Sequence, residues 1–393
     1  MLIGIVGKPN VGKSTFFKAL TLADVLIANY PFATIQPNKG FGHVKVECVD
    51  KEFNVQCNPR YGYCIDSKRF VPVEVIDVAG LVPGASEGKG LGNQFLDDLR
   101  QADVLIHVVD ISGSTNANGE PVQIGSYDPL NDVEFLEEEI DLWIFGIVKK
   151  NWDKLIRTAK AEHKLLSDAL YEQLSGLKFF RKDIEETLKE YPEIDKWNDE
   201  ILFNFLRSVR RKSKPIIIAA NKIDLPTAKQ NLVRLKEKYS NLIVIPVSAE
   251  AELVLKEANR QGLIEYIPGE SSFKILKELN ERQKYALNMI KEKILDTYGS
   301  TGVQQVINTA VFDVLKYIAV FPGGVNKLAD KDGNILPDCF LLPPGSTALD
   351  FARTIHTDLA KNFVKAIDVR TKKPLGKDYL LKHRDVIEIY ASN

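Results

Sequence analysis

Little in this chain favours a membrane, a disulfide framework or a polyelectrolyte partner. No apolar run reaches the roughly 18–20 residues that a transmembrane helix needs. Four cysteines among 393 residues are too few to staple so long a chain. With 52 Lys and Arg against 53 Asp and Glu, the net charge is −1. Any RNA contact must therefore come from a local patch, not from charge on the whole protein. The opening MLIGIVG lacks a basic leader, and its apolar run ends at glycine within a few residues. It reads as a buried strand, not as a secretory signal. A cytoplasmic location is expected, with no membrane and no DNA partner.

The chain is 45% apolar and 27% charged, typical of a globular protein, and its length suggests two or three domains. Short apolar runs recur at Leu2–Val6, Val71–Ile76, Val104–Val109, Pro215–Ala220 and Leu242–Val247. Strands apolar on both faces belong inside parallel sheets covered by helices, so the fold class is α/β. One interval is unusually long: about a hundred residues separate Asp110 from Pro215, where a crossover needs a dozen or so. Ile111 to Pro129 is rich in Gly, Ser, Asn and Pro and reads as loop. Leu130 to Arg211 is helical in pattern and reads as an inserted helical pair or small helical domain. Helix is expected from Ala249 to about Leu315. A small α+β module follows, with a strand at Tyr317–Phe321, a helix from Thr347 to Phe363 capped by Ser346 or Thr347, and a last strand at Ile387–Tyr390.

Gly7-Lys8-Pro9-Asn10-Val11-Gly12-Lys13-Ser14 has the spacing G-x-x-x-x-G-K-[ST] between a predicted strand and a predicted helix. The glycines let backbone amides turn toward phosphate oxygens, and the helix aims its positive end at them. Lys13 would reach the β- and γ-phosphates, Ser14 would bind Mg²⁺ through its hydroxyl, and Thr15 would donate to the α-phosphate. Asp77-Val78-Ala79-Gly80 ends the Val71–Ile76 strand. Asp77 suits Mg²⁺, usually through water, and the Gly80 amide can meet a γ-phosphate. Leu81 to Gly92 is glycine-rich and costly to order, as expected of a segment that a γ-phosphate orders and hydrolysis releases.

Asn221-Lys222-Ile223-Asp224 follows another strand. The Asp224 carboxylate can accept from guanine N1–H and the exocyclic amine, a donor pair that adenine lacks. Asn221 would tie the base pocket to the phosphate loop, and the Lys222 stem would cover the base. Ser248-Ala249, after the next strand, can offer a backbone amide to guanine O6.

These elements together resemble the translation-factor-type GTPases, and more narrowly the Obg group. Asn29-Tyr30-Pro31-Phe32-Ala33-Thr34-Ile35-Gln36-Pro37-Asn38 resembles that group's first switch, and the segment from Asp77 to Asn93 its second. By that resemblance Thr34 closes onto Mg²⁺ and the γ-phosphate. Leu341 to Ala352 and Arg384 to Ile389 resemble the TGS module, a ubiquitin-like β-grasp. The order of parts is similar to the YchF-like subfamily, and the segment Glu47 to Lys68 resembles its archaeal and fungal branch. Many members carry Glu at the position of Asp224 and favour ATP, so Asp224 argues for GTP. The resemblance implies a P-loop GTPase fold with a mostly parallel doubly wound sheet. It implies a GTPase domain over 1–127, a helical insertion over 128–213, the rest of the GTPase domain with connecting helices over 214–315, and a TGS domain over 316–393. It also implies a GTP/GDP switch acting on the ribosome or RNA. Leu81 stands where many GTPases carry glutamine and cannot orient water, so slow intrinsic hydrolysis is expected. An asparagine at the position of Asn10 holds K⁺ in some relatives; the alternative, that Asn10 only caps the loop, stays open.

Cys48, Cys57 and Cys64 lack C-x-x-C spacing and Cys339 lies far along the chain, so buried thiols are expected in place of a zinc site. His163 and His356 read as structural or solvated. Two basic groups, Arg207-Arg210-Arg211-Lys212-Lys214 and Lys372-Lys373-Lys377-Lys382-Arg384, could touch phosphate backbones. The competing readings are a nucleotide-gated protein-binding module and a P-loop phosphotransferase.

Overall fold

The structure, a computed structural model, describes residues 1–22, 38–78 and 92–392. It divides into two compact units, one taking in Met1–Leu22 and Glu74–Val306, the other Phe41–Val73 and Ile307–Asn393. Among the described residues no helix is long and apolar enough to cross a membrane.

The first unit is built on parallel strands. β1 (Leu2–Val6) has every residue buried, as do β5 (Val104–Asp110) and β6 (Ile216–Asn221). β4 (Lys68–Asp77) enters this unit at Glu74, and β7 is Ile243–Pro246; β2 (Lys39–Glu47) from Phe41 onward and β3 (Tyr63–Ile65) belong to the second unit. The sheet path runs β2-β4-β1-β5-β6-β7, with β3 on β4. The pairs β4–β1, β1–β5, β5–β6 and β6–β7 are all parallel. Parallel register brings the C-terminal ends of β1, β4, β5 and β6 to one edge, where ligands of open α/β sheets bind. Helices α1 (Lys13–Thr21) and α2 (Gly92–Gln101) follow β1 and β4.

Between β5 and β6 lie five helices: α3 (Leu130–Lys149), α4 (Trp152–Ala161), α5 (Leu166–Leu174), α6 (Arg181–Leu188) and α7 (Asp199–Ser213). They are not detached from the sheet. Leu130, Val133, Leu136 and Ile140 of α3 share one apolar core with Leu105 and Val109 of β5. The sequence predicts helix here correctly, but as a pair or small domain; α3 is instead a covering layer of the sheet.

Of the basic group Arg207-Arg210-Arg211-Lys212-Lys214, Arg210 and Lys214 are buried, Arg207 is half-buried, and Arg211 and Lys212 are exposed. Arg210, 1% exposed, grips Asp141 through Nε at 2.8 Å and Glu137 at 2.9 Å. Arg207 joins Asp141 at 2.7 Å, Arg211 joins Glu137 at 3.0 Å, and Lys212 joins Glu190 at 2.9 Å. Lys214 is fully buried and donates to the carbonyls of Leu99 and Ala102 at 2.6 and 2.8 Å, closing the end of α2. Burial pushes its ammonium down to about 7. Arg210 and Lys214 are thus held inside the fold, whereas Arg211, Lys212, Lys372, Lys373, Lys377 and Lys382 are exposed.

Helix α8 (Ala228–Lys238) precedes β7, and α9 (Ala249–Arg260) follows it. Beyond α9 the stretch expected to be largely helical also contains a hairpin, β8 (Ile264–Tyr266) with β9 (Phe273–Ile275). The Pro268-Gly269 turn between them carried the signal that the helical reading passed over. Helix then runs from Glu281, with π-helical turns at Lys291–Leu295 and Thr309–Val314.

In the second unit, β10 (Ile318–Pro322), β11 (Phe340–Leu342), β12 (Phe363–Asp368), β13 (Pro374–Leu375) and β14 (Val386–Ala391) are ordered β11-β10-β14-β12-β13. β10 and β14 are parallel at the centre, the arrangement of a β-grasp. Thr347 caps the helix Ala348–Ile355 in a capping box with Asp350. That helix is shorter than expected: His356 is extended and its ring accepts from the Asp358 amide, starting a second short helix.

Asp141 is the common partner of two arginines, so Asp141→Ala strips the buried Arg210 of one of its two carboxylates. It should lower unfolding free energy by about 3–5 kcal/mol, whereas Arg207→Ala, at the half-exposed end, should cost under about 1 kcal/mol. Denaturant melts of the full chain check the contrast.

Candidate nucleotide-binding site

The phosphate loop leaves β1 and enters α1 through Gly12, whose φ of 91° places it in the left-handed region. A Cβ there would lie 2.3 Å from Asn221 Nδ2, so both backbone and space require glycine. Asn10 is also left-handed, at φ 63°. Its Nδ2 donates to the Gly119 carbonyl at 2.8 Å, and among the described residues its Oδ1 has no donor. Lys8 is buried, pairing with Asp132 at 2.8 Å, donating to the Thr115 carbonyl at 3.0 Å and lying 4.0 Å from the Tyr127 ring centre. Burial raises the Asp132 carboxyl, against the pull of Lys8.

Lys13 and Asp77 form an ion pair, and Lys13 also donates to the Val78 carbonyl at 2.9 Å. The two residues expected to meet phosphate and metal are therefore brought together. Ser14 and Thr15 stand on the first turn of α1, Ser14 exposed and Thr15 half-buried. Pro9 is exposed and Val11 buried. Thr34 and Gly80, with residues 29–37 and 79–91 of the two switch-like segments, lie outside the described residues.

On the base side, Asn221 works in two directions. Its Nδ2 donates to the Val11 carbonyl at 2.9 Å, and its Oδ1 accepts from the Ala249 amide at 3.0 Å. One side chain thus joins the loops after β1, β6 and β7. Ser248 donates through Oγ to Asp224 at 3.0 Å, and its own amide donates to the Thr301 carbonyl at 2.9 Å. The Ser248 and Ala249 amides, either of which could serve guanine O6, thus both have protein acceptors. Asp224 lines a cavity of about 410 Å³ with Leu225, Ser248, Met289, Ile290 and Lys293. That size falls within the range of small-molecule pockets.

Sequence reasoning passed over Asp110, the last residue of β5. It is 1% exposed. Its carboxylate accepts from the Ser112 amide (3.1 Å) and hydroxyl (2.6 Å), Ser114 (2.6 Å), Thr115 (3.1 Å) and Lys222 Nζ (2.9 Å). Burial pushes this carboxyl up, but the Ser112 and Ser114 hydroxyls and the Lys222 ammonium outweigh it and hold it below the usual range. The signal was present: an acid ending a largely apolar strand, followed by Ser112, Ser114 and Thr115. Lys222 is thereby fixed by Asp110 and by Ser114 at 3.2 Å.

Three family models match the chain. Residues 2–222 match one described as 50S ribosome-binding GTPase, residues 219–324 the Obg-like GTPase YGR210-like G4 motif-containing domain, and residues 328–391 the TGS domain. A GTP-binding protein of Methanocaldococcus jannaschii is 52% identical, covering 100% of this chain and 99% of that protein. A GTP-binding protein of Schizosaccharomyces pombe is 36% identical, covering 88% of each. The ribosome-binding ATPase YchF of Bacillus subtilis is 29% identical, covering 98% and 97%. The crystal structure of a GTP-binding protein from Pyrococcus horikoshii superposes with a TM-score of 0.77 over 100% of both chains at 41% identity.

Because folding lowers the Asp110 pKa, its stabilisation is complete above the ordinary Asp value of about 3.9 and fades as pH falls through the lower folded value. Asp110→Asn should cost about 1–3 kcal/mol at neutral pH. The gap between wild type and variant in urea melts should shrink as the medium is acidified below about pH 4.

Proposed function

Because this chain belongs to the YchF-like subfamily of Obg-type GTP-binding proteins, we propose that it hydrolyses GTP to GDP and phosphate as a Mg²⁺-dependent switch on the ribosome. The observation that carries the GTP reading is Asn221, whose single amide holds the phosphate loop and the base-side loops in register. Phosphates then meet the amides of Gly7 to Ser14 and the positive end of α1. Lys13 exchanges Asp77 and the Val78 carbonyl for the β- and γ-phosphates. Asp224 accepts from guanine N1–H and the exocyclic amine, while adenine would leave that carboxylate unpaired at a cost in affinity. The relative 52% identical is named GTP-binding, while the one 29% identical is named an ATPase; Asp224 favours the former chemistry.

The Ser14 hydroxyl and the Asp77 carboxylate are hard oxygen donors of the kind Mg²⁺ takes. In the family pattern Thr34 joins them, and the Gly80 amide faces the γ-phosphate. When bound, Mg²⁺ neutralises charge on the β- and γ-phosphates. Leu81 has no group to orient the attacking water, so turnover by the isolated protein is slow. The Oδ1 of Asn10 is a suitable ligand for K⁺, which would supply part of the missing charge. Support for the ribosomal role comes from the name of the B. subtilis relative and from the exposed Lys372, Lys373, Lys377 and Lys382. A ribosome-bound role puts the protein in the cytoplasm.

Affinity and turnover with GTP and with ATP, each in KCl and in NaCl, test the reading. GTP should bind at least about 100-fold tighter than ATP, and Asp224→Ala should erase most of that difference. Asn10→Ala should remove any KCl advantage while leaving GTP affinity within about threefold. Equal affinity for both nucleotides, or transfer of phosphate to an acceptor other than water, would refute it. The ribosomal role fails if co-sedimentation is the same with GTP, GDP and a non-hydrolysable analogue.

A further inference from the structure

All four cysteines of the chain gather in the second unit, around one small core. Cys48 follows β2, Cys57 lies in the loop after a short 3₁₀ turn at Asp50–Phe53, and Cys64 sits in β3. The spacing of these residues had argued against zinc, yet the fold reunites them. The sulfurs of Cys48, Cys57 and Cys64 and a carboxylate oxygen of Asp50 all lie within 4.8 Å of one another. Cys48 Sγ and Cys57 Sγ are 3.6 Å apart. That is far beyond the roughly 2.05 Å of a disulfide. It is close to the separation of about 3.8 Å between sulfurs that tetrahedral zinc imposes with Zn–S bonds of about 2.3 Å.

The surroundings are those of a ligand set. Cys48, Asp50 and Cys57 are each at most 5% exposed. The Lys51 amide donates to Asp50 Oδ1 at 2.8 Å and the Cys57 amide to Oδ2 at 3.4 Å, orienting the carboxylate as outer partners of metal ligands do. Three thiolates and a carboxylate would leave a divalent ion with two excess negative charges. Arg69, 1% exposed, lies beside them and donates to the carbonyls of Leu336 and Pro337 at 3.0 and 2.8 Å. It is the cross-strand partner of Cys64 in the β3–β4 pair, and its charge offsets part of that excess. Without an ion, the buried Asp50 carboxylate faces three thiols, which are weak donors.

We propose that Cys48, Asp50, Cys57 and Cys64 hold a structural zinc ion. Soft sulfur ligands exclude Mg²⁺ and Ca²⁺, and four protein ligands leave no open position for catalysis. The ion ties the end of β2 to β3 across a stretch, residues 54–62, without regular secondary structure. Cys339 packs against the same cluster but is not among the ligands. None of the four belongs to the nucleotide site.

The test uses the full chain purified under reducing conditions from zinc-supplemented cells. Elemental analysis should find about one zinc per chain. Anaerobic replacement by Co²⁺ should give the thiolate charge-transfer and intense tetrahedral d–d absorption of a sulfur-rich site. Cys57→Ser and Cys64→Ser should lose both signals, while Cys339→Ser keeps them. A chelator should lower the wild-type melting temperature, and zinc should restore it. GTP binding reports separately on the first unit. A wild type that holds no zinc and gives no tetrahedral cobalt spectrum overturns the proposal. So does retention of that spectrum by Cys57→Ser, or a native Cys48–Cys57 disulfide found by mass spectrometry. Should either serine variant fail to fold, chelation and reconstitution of the wild type alone decide.

Discussion

The first unit depends on one buried carboxylate. Ordering the 111–129 segment costs backbone entropy at every residue, and so long a loop without regular structure is uncommon in a compact domain. Asp110 offsets that cost with two oxygens, which accept from Ser112, Ser114, Thr115 and Lys222. Once fixed, the loop presents the Thr115 carbonyl to Lys8 and the Gly119 carbonyl to Asn10. Gly119, at φ 79°, also approaches Pro9 so closely that a Cβ would lie 2.6 Å from its carbonyl oxygen. The same carboxylate holds the lysine of the guanine motif. Phosphate side and base side are thus positioned by the end of β5, although neither motif includes it.

The helical insert is tied to this arrangement at both ends. At its start, Asp132 of α3 takes the ammonium of Lys8 from within the phosphate loop. At its finish, Lys214 closes the last carbonyls of α2, the helix that follows the second switch-like segment. Between these points α3 and α7 are locked by Arg210 on Glu137 and Asp141. Buried ion pairs of this sort gain little net stability but fix one geometry, because every alternative leaves a charge unpaired. A displacement of α2 or of the phosphate loop therefore meets the insert through polar contacts that do not slide.

What could be read from the sequence follows from how local the information is. Gly12, Lys13 and Asn221 were legible because their chemistry is carried by motifs a few residues long between periodic elements. The parallel strands were legible because burial on both faces writes continuous apolar runs. The roles of Arg207, Arg210 and Lys214 were not, since a basic run looks the same whether solvated or paired with acids some seventy positions away, as Arg210 is with Glu137. Asp110 was hidden for a related reason: an acid at a strand end is ordinary until its donors are known. β2, with Gly, His and Lys among its alternating residues, wrote too weak a pattern, and the β8–β9 hairpin was too short to interrupt the helical reading around it.

The cysteines extend this reasoning to the second unit. Among the described residues, two of its apolar cores contain seven buried residues each, whereas one continuous core in the first unit runs from the sheet through the insert. Small cores rarely stabilise a fold alone, and compact modules commonly add a metal or a disulfide. Here a disulfide is disfavoured by the sulfur separation, and the third thiol and the carboxylate would be left over by any such pair. A tetrahedral ion uses all four groups at once. It also accounts for a polar residue, Asp50, at 0% exposure beside three thiols, a placement that packing alone would penalise.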